Sequence, residues 1–212
     1  MEVIKWSFTG FFILMASLVI SDESVAKDFV EGVDYVQVKG IPEAKSPVVR
    51  EFFSYNCSHC YRQDPIFEEA VELLGDKIDF VRTPVGGGRS SWVLSQQAYY
   101  LAQKFKMTRQ VHGNIFKRIH EKEGPFTRSA QLKEFFVQQG ADASAVEQAM
   151  NSVDAKLAIS HYDTQAQLAG IRGVPSLLVN GKYLIVSKSR TPEELADLVN
   201  YLSALKAAKK AS

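Results

Sequence analysis

Segments with the pattern of β-strands lie only towards the two ends of this chain, and the long stretch between them has the pattern of helices. Apolar residues alternate or form short β-rich runs before residue 85 and again after residue 175. Between residues 90 and 170 they recur at helical spacing. The predicted strands are 35–38, 48–53, 78–81, 176–179 and 183–186. This order predicts an α/β fold made of a βαβ unit, a helical block and a ββα unit.

Turn and capping residues mark the last of these units. Asn180-Gly181 lies between two apolar runs and predicts a tight hairpin between the last two strands. Thr191 can cap the closing helix, Pro192 suits its first position, and Glu194 completes a capping box. A ββα ending is therefore predicted.

Within the helical block, the spacing of apolar residues also predicts helix starts and buried faces. Ser144 and Glu147 are spaced as a capping box. In the last helix of the block the predicted stripe consists of Val153, Leu157, Thr164 and Leu168, with Gly170 at its end.

Residues 1–26 have the features of a cleaved secretory signal. Lys5 precedes an apolar run at residues 10–20, and Ser24 and Ala26 have the spacing that a signal peptidase recognises. The alternative is a membrane anchor, but the run is shorter than the roughly 20 residues needed to span a bilayer. Cleavage would remove one basic and three acidic residues. The expected product is an exported, mildly basic protein.

The chain has only two cysteines, Cys57 and Cys60. Export permits structural disulfides, but a disulfide between residues three apart closes a very small loop and is a poor brace. The pair is therefore interpreted as reactive rather than structural. Because 25 basic residues nearly balance 24 acidic ones, nucleic-acid binding held mainly by charge is not expected.

The position of these cysteines between a predicted strand and a predicted helix favours redox chemistry. Backbone N–H groups and the helix dipole at a helix start stabilise a thiolate, so Cys57 is the expected nucleophile. Cys60, one turn inside the helix, can resolve a mixed disulfide, and His59 can donate a hydrogen bond or positive charge to Cys57. The alternatives are a zinc half-site and an inert disulfide. A zinc site usually needs a second ligand pair, and the other histidines, His112, His120 and His161, show none.

Two segments of the chain resemble the DsbA family of periplasmic thiol oxidases. They are EFFSYNCSHCY at residues 51–61 and GVPSLLVNGKY at residues 173–183. The resemblance covers essentially the whole mature chain and implies a thioredoxin fold with an inserted all-helical domain. The implied organisation is a signal peptide at 1–26, a first thioredoxin-like part at 27–88, a helical domain at 89–168 and a second thioredoxin-like part at 169–212.

The resemblance also implies residue roles around the substrate. Pro175 is expected to be cis and to face the disulfide, and Val174 is expected to bind the substrate strand through its backbone. Ser58 is expected to contact substrate. Members of the family commonly carry proline at that position, and serine adds a backbone N–H and a hydroxyl that alter thiolate stability.

Arg50 and Glu51 are adjacent in a predicted strand, so their side chains point to opposite faces of the sheet. In the resemblance, Glu51 matches a buried acid behind the disulfide that assists proton transfer at the inner cysteine, and burial should raise its pKa. Arg82 on the neighbouring strand is a candidate partner. The alternative is that Glu51 lies at a solvent-exposed end of the strand.

The function expected from these features is a dithiol oxidase that donates its Cys57–Cys60 disulfide to unfolded or reduced exported proteins. The implied partner is a DsbB-type membrane reoxidase, and the implied location is the periplasm. We expect a monomer that needs no cofactor and no resident metal. The alternatives are a periplasmic reductase or isomerase, and a non-catalytic metal-binding protein that uses Cys57, His59 and Cys60.

Overall fold

Among the described residues, five strands form one mixed sheet. The computed structural model describes residues 29–43, 47–187 and 190–210, and the predicted signal peptide, residues 1–26, lies outside them. The strands are β1 (Tyr35–Gln37), β2 (Val48–Phe53), β3 (Asp79–Pro84), β4 (Ser176–Val179) and β5 (Tyr183–Ile185). Their order is β1-β5-β4-β2-β3, with β2 and β3 parallel and the other neighbours antiparallel. Each strand falls within or overlaps a segment predicted from the sequence.

The helices follow the predicted order. They are α1 (Ser58–Leu74), α2 (Ser90–Lys104), α3 (Thr108–Lys117), α4 (Ser129–Gln138), α5 (Ala143–Met150), α6 (Val153–Leu168) and α7 (Pro192–Lys210). A 3₁₀ turn, Gly75–Lys77, follows α1, and a π-helical segment, Arg118–Lys122, continues α3. Thus α2 to α6 lie between β3 and β4, which confirms an α/β fold with a helical insertion. No described helix is both long enough and apolar enough to cross a lipid bilayer.

Both faces of the sheet are covered, so β2, which lies between β4 and β3, is buried at every position. On one face α1 and α7 pack against the sheet through a cluster that includes Val49, Phe67, Leu177 and Leu198. On the other face α6 packs through a cluster that includes Phe52, Ala166 and Leu178. A third cluster joins the end of β2 to the helical block and includes Phe53, Tyr55, Leu101, Ile115, Phe116 and Phe136. The helical block is therefore packed directly behind the residues that precede Cys57.

The turn between β4 and β5 has the predicted hairpin form. Asn180 and Gly181 both have left-handed backbones, with φ of 51° and 66°, as the two central residues of a type I′ turn require. A Cβ on Gly181 would lie 2.0 Å from the carbonyl oxygen of Ile41, so glycine is required there. Asn180 also accepts a hydrogen bond from the Val48 N–H at 3.1 Å through its side chain, which ties the turn to β2.

The prediction for the start of α5 is wrong. The N-cap residue is Asp142, whose carboxylate accepts a hydrogen bond from the Ala145 N–H at 2.8 Å. Ser144 lies inside the helix, so Ser144 and Glu147 do not form the capping box. Aspartate is as good an N-cap as serine, and the earlier of two capping residues starts this helix.

The predicted buried stripe of α6 is also wrong. Val153, Leu157 and Leu168 are 69%, 63% and 60% exposed, and Thr164 is exposed as well. The buried residues of α6 are Ala155, Tyr162 and Ala166. Because alanine is small, the face of α6 that carries it can pack closely against neighbouring elements. The larger aliphatic residues lie on the opposite, exposed face.

Candidate active site

Cys57 is the N-cap residue of α1, and Cys60 lies in the first turn of the helix. The backbone of Cys57 is extended, and the Cys60 N–H donates a hydrogen bond to its sulfur at 3.4 Å. Both cysteines are free thiols; Cys57 is partly exposed and Cys60 is fully buried. The predicted placement at a helix start is confirmed.

The surroundings of the two sulfurs shift their pKa values in opposite directions. A hydrogen bond from the Cys60 thiol is the largest cause that lowers the pKa of Cys57, and the backbone N–H groups of Cys60 and His59 and the charge of His59 add to it. Together they outweigh partial burial and bring the pKa of Cys57 to about 6. Burial is the largest cause that raises the pKa of Cys60 far above its usual range. At neutral pH the outer sulfur is a thiolate and the inner one a thiol.

The residues between the cysteines are exposed. Ser58 is the first residue of α1. The ring of His59 is turned towards Arg62, whose guanidinium donates to Nδ1 at 2.9 Å. His59 therefore acts on the Cys57 thiolate through its backbone N–H.

The loop before β4 lies against the nucleophile. The Val174–Pro175 peptide bond is cis, as predicted. The sulfur of Cys57 lies 3.4 Å from the carbonyl oxygen of Val174. A cavity of about 280 Å³ opens beside this loop, and its lining includes Gln63, Ile66 and Phe67 of α1 with Pro175, Ser176 and Arg190. The loop therefore contacts the reactive sulfur through Val174 and lines the cavity through Pro175.

Glu51 is buried behind the cysteines, as predicted, and is 1% exposed. Its carboxylate accepts a hydrogen bond from Nε of Arg82 at 2.9 Å, which confirms the expected pairing. Burial nevertheless dominates and raises the pKa of Glu51 from 4.5 to about 7; Arg82 opposes this shift, while Asp64 and Glu68 add to it. A carboxyl that titrates near neutral pH can donate or accept a proton during exchange.

Arg82 is shared by three carboxylates. Besides Glu51, its guanidinium contacts Glu68 at 2.5 Å and Asp64 at 3.5 Å. Arg50 points to the opposite face of the sheet, as predicted, where it binds Glu43 through two hydrogen bonds of 2.7 Å. The acidic cluster around Arg82 is thus separate from the pair on the other face.

Sequence reasoning missed the residues by which the helical block holds the catalytic loop. The sequence pattern assigns His112 and His120 no role beyond excluding a second zinc-ligand pair, yet both contact Tyr55. Nδ1 of His112 lies 2.7 Å from the Tyr55 hydroxyl, and Nε2 of His120 lies 2.8 Å from the Tyr55 carbonyl oxygen. Ser95 donates to the side chain of Asn56 at 2.7 Å. These contacts join residues far apart in the chain, and no local pattern signals them. The π-helical turn that carries His120 is of a kind often found at functional sites.

One group of described residues brings three metal-ligating atoms together: Asp64, Glu68 and His112 lie within 4.8 Å of one another. The guanidinium of Arg82 already contacts both carboxylates and would repel a cation. Cys57, His59 and Cys60, the set expected for the metal-binding alternative, are not such a group among the described residues.

The model of the DSBA-like thioredoxin domain matches residues 77–200, a range that holds the helical block and the loop before β4. A thiol:disulfide interchange protein DsbA of Burkholderia cepacia is 31% identical over 157 residues, which cover 74% of this chain and 73% of the relative. The chain belongs to the DsbA family. It is a thiol:disulfide oxidoreductase.

Other members of the DsbA family agree with this assignment. DsbA of Pseudomonas aeruginosa is 28% identical over 181 residues, covering 84% of this chain and 85% of the relative. Its crystal structure superposes with a TM-score of 0.77 at 26% identity and covers 87% of this chain and 97% of that one. A Proteus mirabilis DsbA solved with the non-covalently bound peptide PWATCDS has a TM-score of 0.72 at 26% identity, covering 84% of this chain and all of that one. The thioredoxin fold implied by the resemblance is confirmed.

Proposed function

We propose that this protein oxidises dithiols in exported proteins by donating a Cys57–Cys60 disulfide. A substrate thiolate attacks the sulfur of Cys57, the disulfide breaks, and Cys60 leaves with the electron pair. A second substrate thiolate then attacks the substrate sulfur of the mixed disulfide and expels the Cys57 thiolate. The substrate loses two electrons and gains a disulfide, and the enzyme is left with both cysteines reduced.

The observation that carries this proposal is the contrast between the two sulfurs. The Cys57 thiolate is stabilised at neutral pH, so it leaves readily in the second step. Stabilisation of this thiolate also favours the reduced enzyme, which makes the oxidised enzyme a stronger oxidant. The direction of exchange is therefore from enzyme disulfide to substrate.

Cys60 needs a proton as it leaves, because a thiolate is unfavourable at its buried position. We assign this proton to Glu51, whose carboxyl is close enough to influence Cys60 electrostatically and titrates near neutral pH. Glu51 is left as a carboxylate beside Arg82 and regains its proton from solvent before the next cycle. Its role is that of a general acid in the first step.

We assign substrate binding to the cis-proline loop and the cavity beside it. The backbone of Val174 lies against the Cys57 sulfur, where an extended substrate segment can pair with it, and Pro175 joins the loop to the cavity. Ser58 is exposed beside Cys57 and can contact the same segment. Backbone pairing suits an enzyme that accepts many unfolded proteins, and the peptide complex of the Proteus mirabilis relative is in keeping with such a site.

The cellular setting forms part of the proposal. Bacterial relatives named DsbA and the signal-like pattern of residues 1–26 support a periplasmic location. Reoxidation then requires an electron acceptor, for which we propose a membrane reoxidase of the DsbB type. We propose a monomer whose thioredoxin-like unit is formed by residues 27–88 and 169–212, with residues 89–168 as the helical insertion.

A single-turnover experiment tests the function. Oxidised protein is mixed with a reduced, unfolded protein that forms disulfides, and free thiols and mixed disulfides are followed by acid quenching and alkylation. We expect one disulfide to be transferred per enzyme. Cys60→Ala, prepared with glutathione disulfide-bonded to Cys57, should exchange the glutathione for a substrate thiol and form a mixed disulfide through Cys57. Cys57→Ala is the control and should form none. Absence of the mixed disulfide in Cys60→Ala, or metal that stays bound through dialysis without thiol oxidation, would contradict the proposal.

A further inference from the structure

The imidazole of His112 is buried between two parts of the active site and is bonded at both nitrogens. Nδ1 lies 2.7 Å from the hydroxyl of Tyr55, two residues before Cys57. Nε2 lies 2.9 Å from Oδ1 of Asp64, one turn after Cys60 in α1. The residue is 5% exposed, and the exchange reaction described above gives it no part. Such a placement for a buried histidine calls for a function beyond filling space.

The partners of the ring fix its tautomer. An ionised carboxylate only accepts hydrogen bonds, so Nε2 carries the hydrogen that faces Asp64. Burial is the largest influence on the pKa of His112 and lowers it, which keeps the ring neutral at neutral pH. Nδ1 then accepts the hydrogen of the Tyr55 hydroxyl, and Tyr55 itself is fully buried. Tyr55 therefore orients His112, and His112 holds Asp64.

Asp64 is held between two competing donors. The same oxygen that accepts from His112 at 2.9 Å lies 3.5 Å from the guanidinium of Arg82. Arg82 makes much shorter contacts with Glu51 and Glu68. Without the imidazole, Asp64 would be free to move towards the guanidinium, because Arg82 is a cation that already contacts it. It would then compete directly with Glu51 for Arg82.

We propose that His112 is a positioning residue that limits Asp64 to a long contact of 3.5 Å with Arg82, leaves the shorter contacts of the guanidinium to Glu51 and Glu68, and so sets the pH at which Glu51 supplies its proton. The catalytic consequence of this inference rests on the proposed function. The contacts of His112 with Tyr55 and Asp64 do not depend on it. The charged and titratable groups that face the His112–Asp64 pair come from β2, the loop after it, α1, β3, α2 and α3. They are Glu51, Tyr55, Glu68, Arg82, Tyr99 and Arg109.

The experiment is a titration of the Glu51 carboxyl by NMR in the full chain labelled with ¹³C at glutamate side chains. The protein is kept oxidised so that neither thiol titrates, and the Glu51 resonance is assigned by its loss in Glu51→Gln. His112→Leu should move the midpoint of Glu51 upwards by about one pH unit, because Glu51 loses part of its cation. His112→Gln keeps an N–H donor towards Asp64 and should return the midpoint towards that of the wild type.

Two further measurements separate positioning from a general structural role. In the reduced protein, the absorbance titration of the Cys57 thiolate should be the same in wild type and His112→Leu. If His112→Leu does not fold, Tyr55→Phe removes only the hydroxyl that orients the ring and should shift the Glu51 midpoint in the same direction. An unchanged Glu51 midpoint in the folded variant, or equal shifts in His112→Leu and His112→Gln, would overturn the proposal. Because the titration observes the carboxyl directly, it remains decisive even if the protein fails to oxidise substrates.

Discussion

The two faces of β2 carry two ion clusters, and the different composition of these clusters gives one a structural and the other a chemical role. On one face Arg50 and Glu43 form a balanced pair with both side chains buried. On the other face one cation, Arg82, is shared by the three carboxylates of Glu51, Asp64 and Glu68. Adjacent residues of a single strand thus have opposite roles. The balanced pair stabilises the fold, whereas burial, together with the excess of carboxylates, allows Glu51 to hold a proton near neutral pH.

The largest effect on stability should come from the balanced pair. Arg50→Met leaves Glu43 buried without its cation and should lower the free energy of unfolding by about 3–5 kcal/mol. Urea denaturation of the oxidised protein measures this. Lys133→Met is the matched control, because it breaks the exposed pair with Glu147 and should cost less than about 1 kcal/mol. Equal losses in the two variants would contradict the structural role of Arg50.

The largest effect on activity should come from the acidic cluster. Glu51→Gln should slow oxidation of a dithiol peptide by about 10²-fold, because Cys60 then leaves without an internal acid. Binding of the same peptide with its cysteines replaced by serine should be nearly unchanged. Glu43→Gln is the control from the opposite face and should retain the wild-type rate when folded. Equal losses of rate and of peptide binding in Glu51→Gln would argue against a proton role.

The Glu51 carboxyl should also make the free energy of unfolding depend on pH. Its pKa is raised from 4.5 to about 7 in the folded protein, so the folded state binds more protons than the unfolded state between these values. This contribution to the free energy of unfolding is up to about 3 kcal/mol. It is fully present below pH 4.5 and is lost as the pH rises towards 7. Comparing the unfolding free energies of wild type and Glu51→Gln across this range measures it. A difference that does not change with pH would contradict the shift.

The smallest effect should come from a change that keeps the charge. Arg82→Lys retains a cation but loses the planar group that binds several carboxylates at once. The Glu51 midpoint should rise by less than in His112→Leu, and the oxidation rate should fall less than in Glu51→Gln. A rate as low as that of Glu51→Gln would show that the guanidinium has a more direct part in the reaction.

The sequence predicted the parts of this site that depend on local rules. A cysteine pair at a strand-to-helix junction indicated the nucleophile, and alternation in β2 placed Arg50 and Glu51 on opposite faces. The resemblance to the DsbA family added the cis bond at Pro175. Each of these features is set by neighbouring residues or by a motif.

The parts that escaped prediction depend on packing between distant segments. His112 and His120 contact Tyr55 only because the helical block folds back onto the end of β2. In α6 the buried face is formed by Ala155, Tyr162 and Ala166, so close approach of the helix matters more than side-chain hydrophobicity. Local periodicity contains neither kind of information.

The central claim is that the contrast between Cys57 and Cys60 makes this protein an oxidant. Its most direct test is the equilibrium between the enzyme disulfide and a series of glutathione redox buffers, followed by alkylation of the free thiols. We expect a midpoint potential more oxidising than about −180 mV, the value of protein disulfide isomerase. A midpoint near about −270 mV, the value of thioredoxin, would identify a reductase and contradict the account.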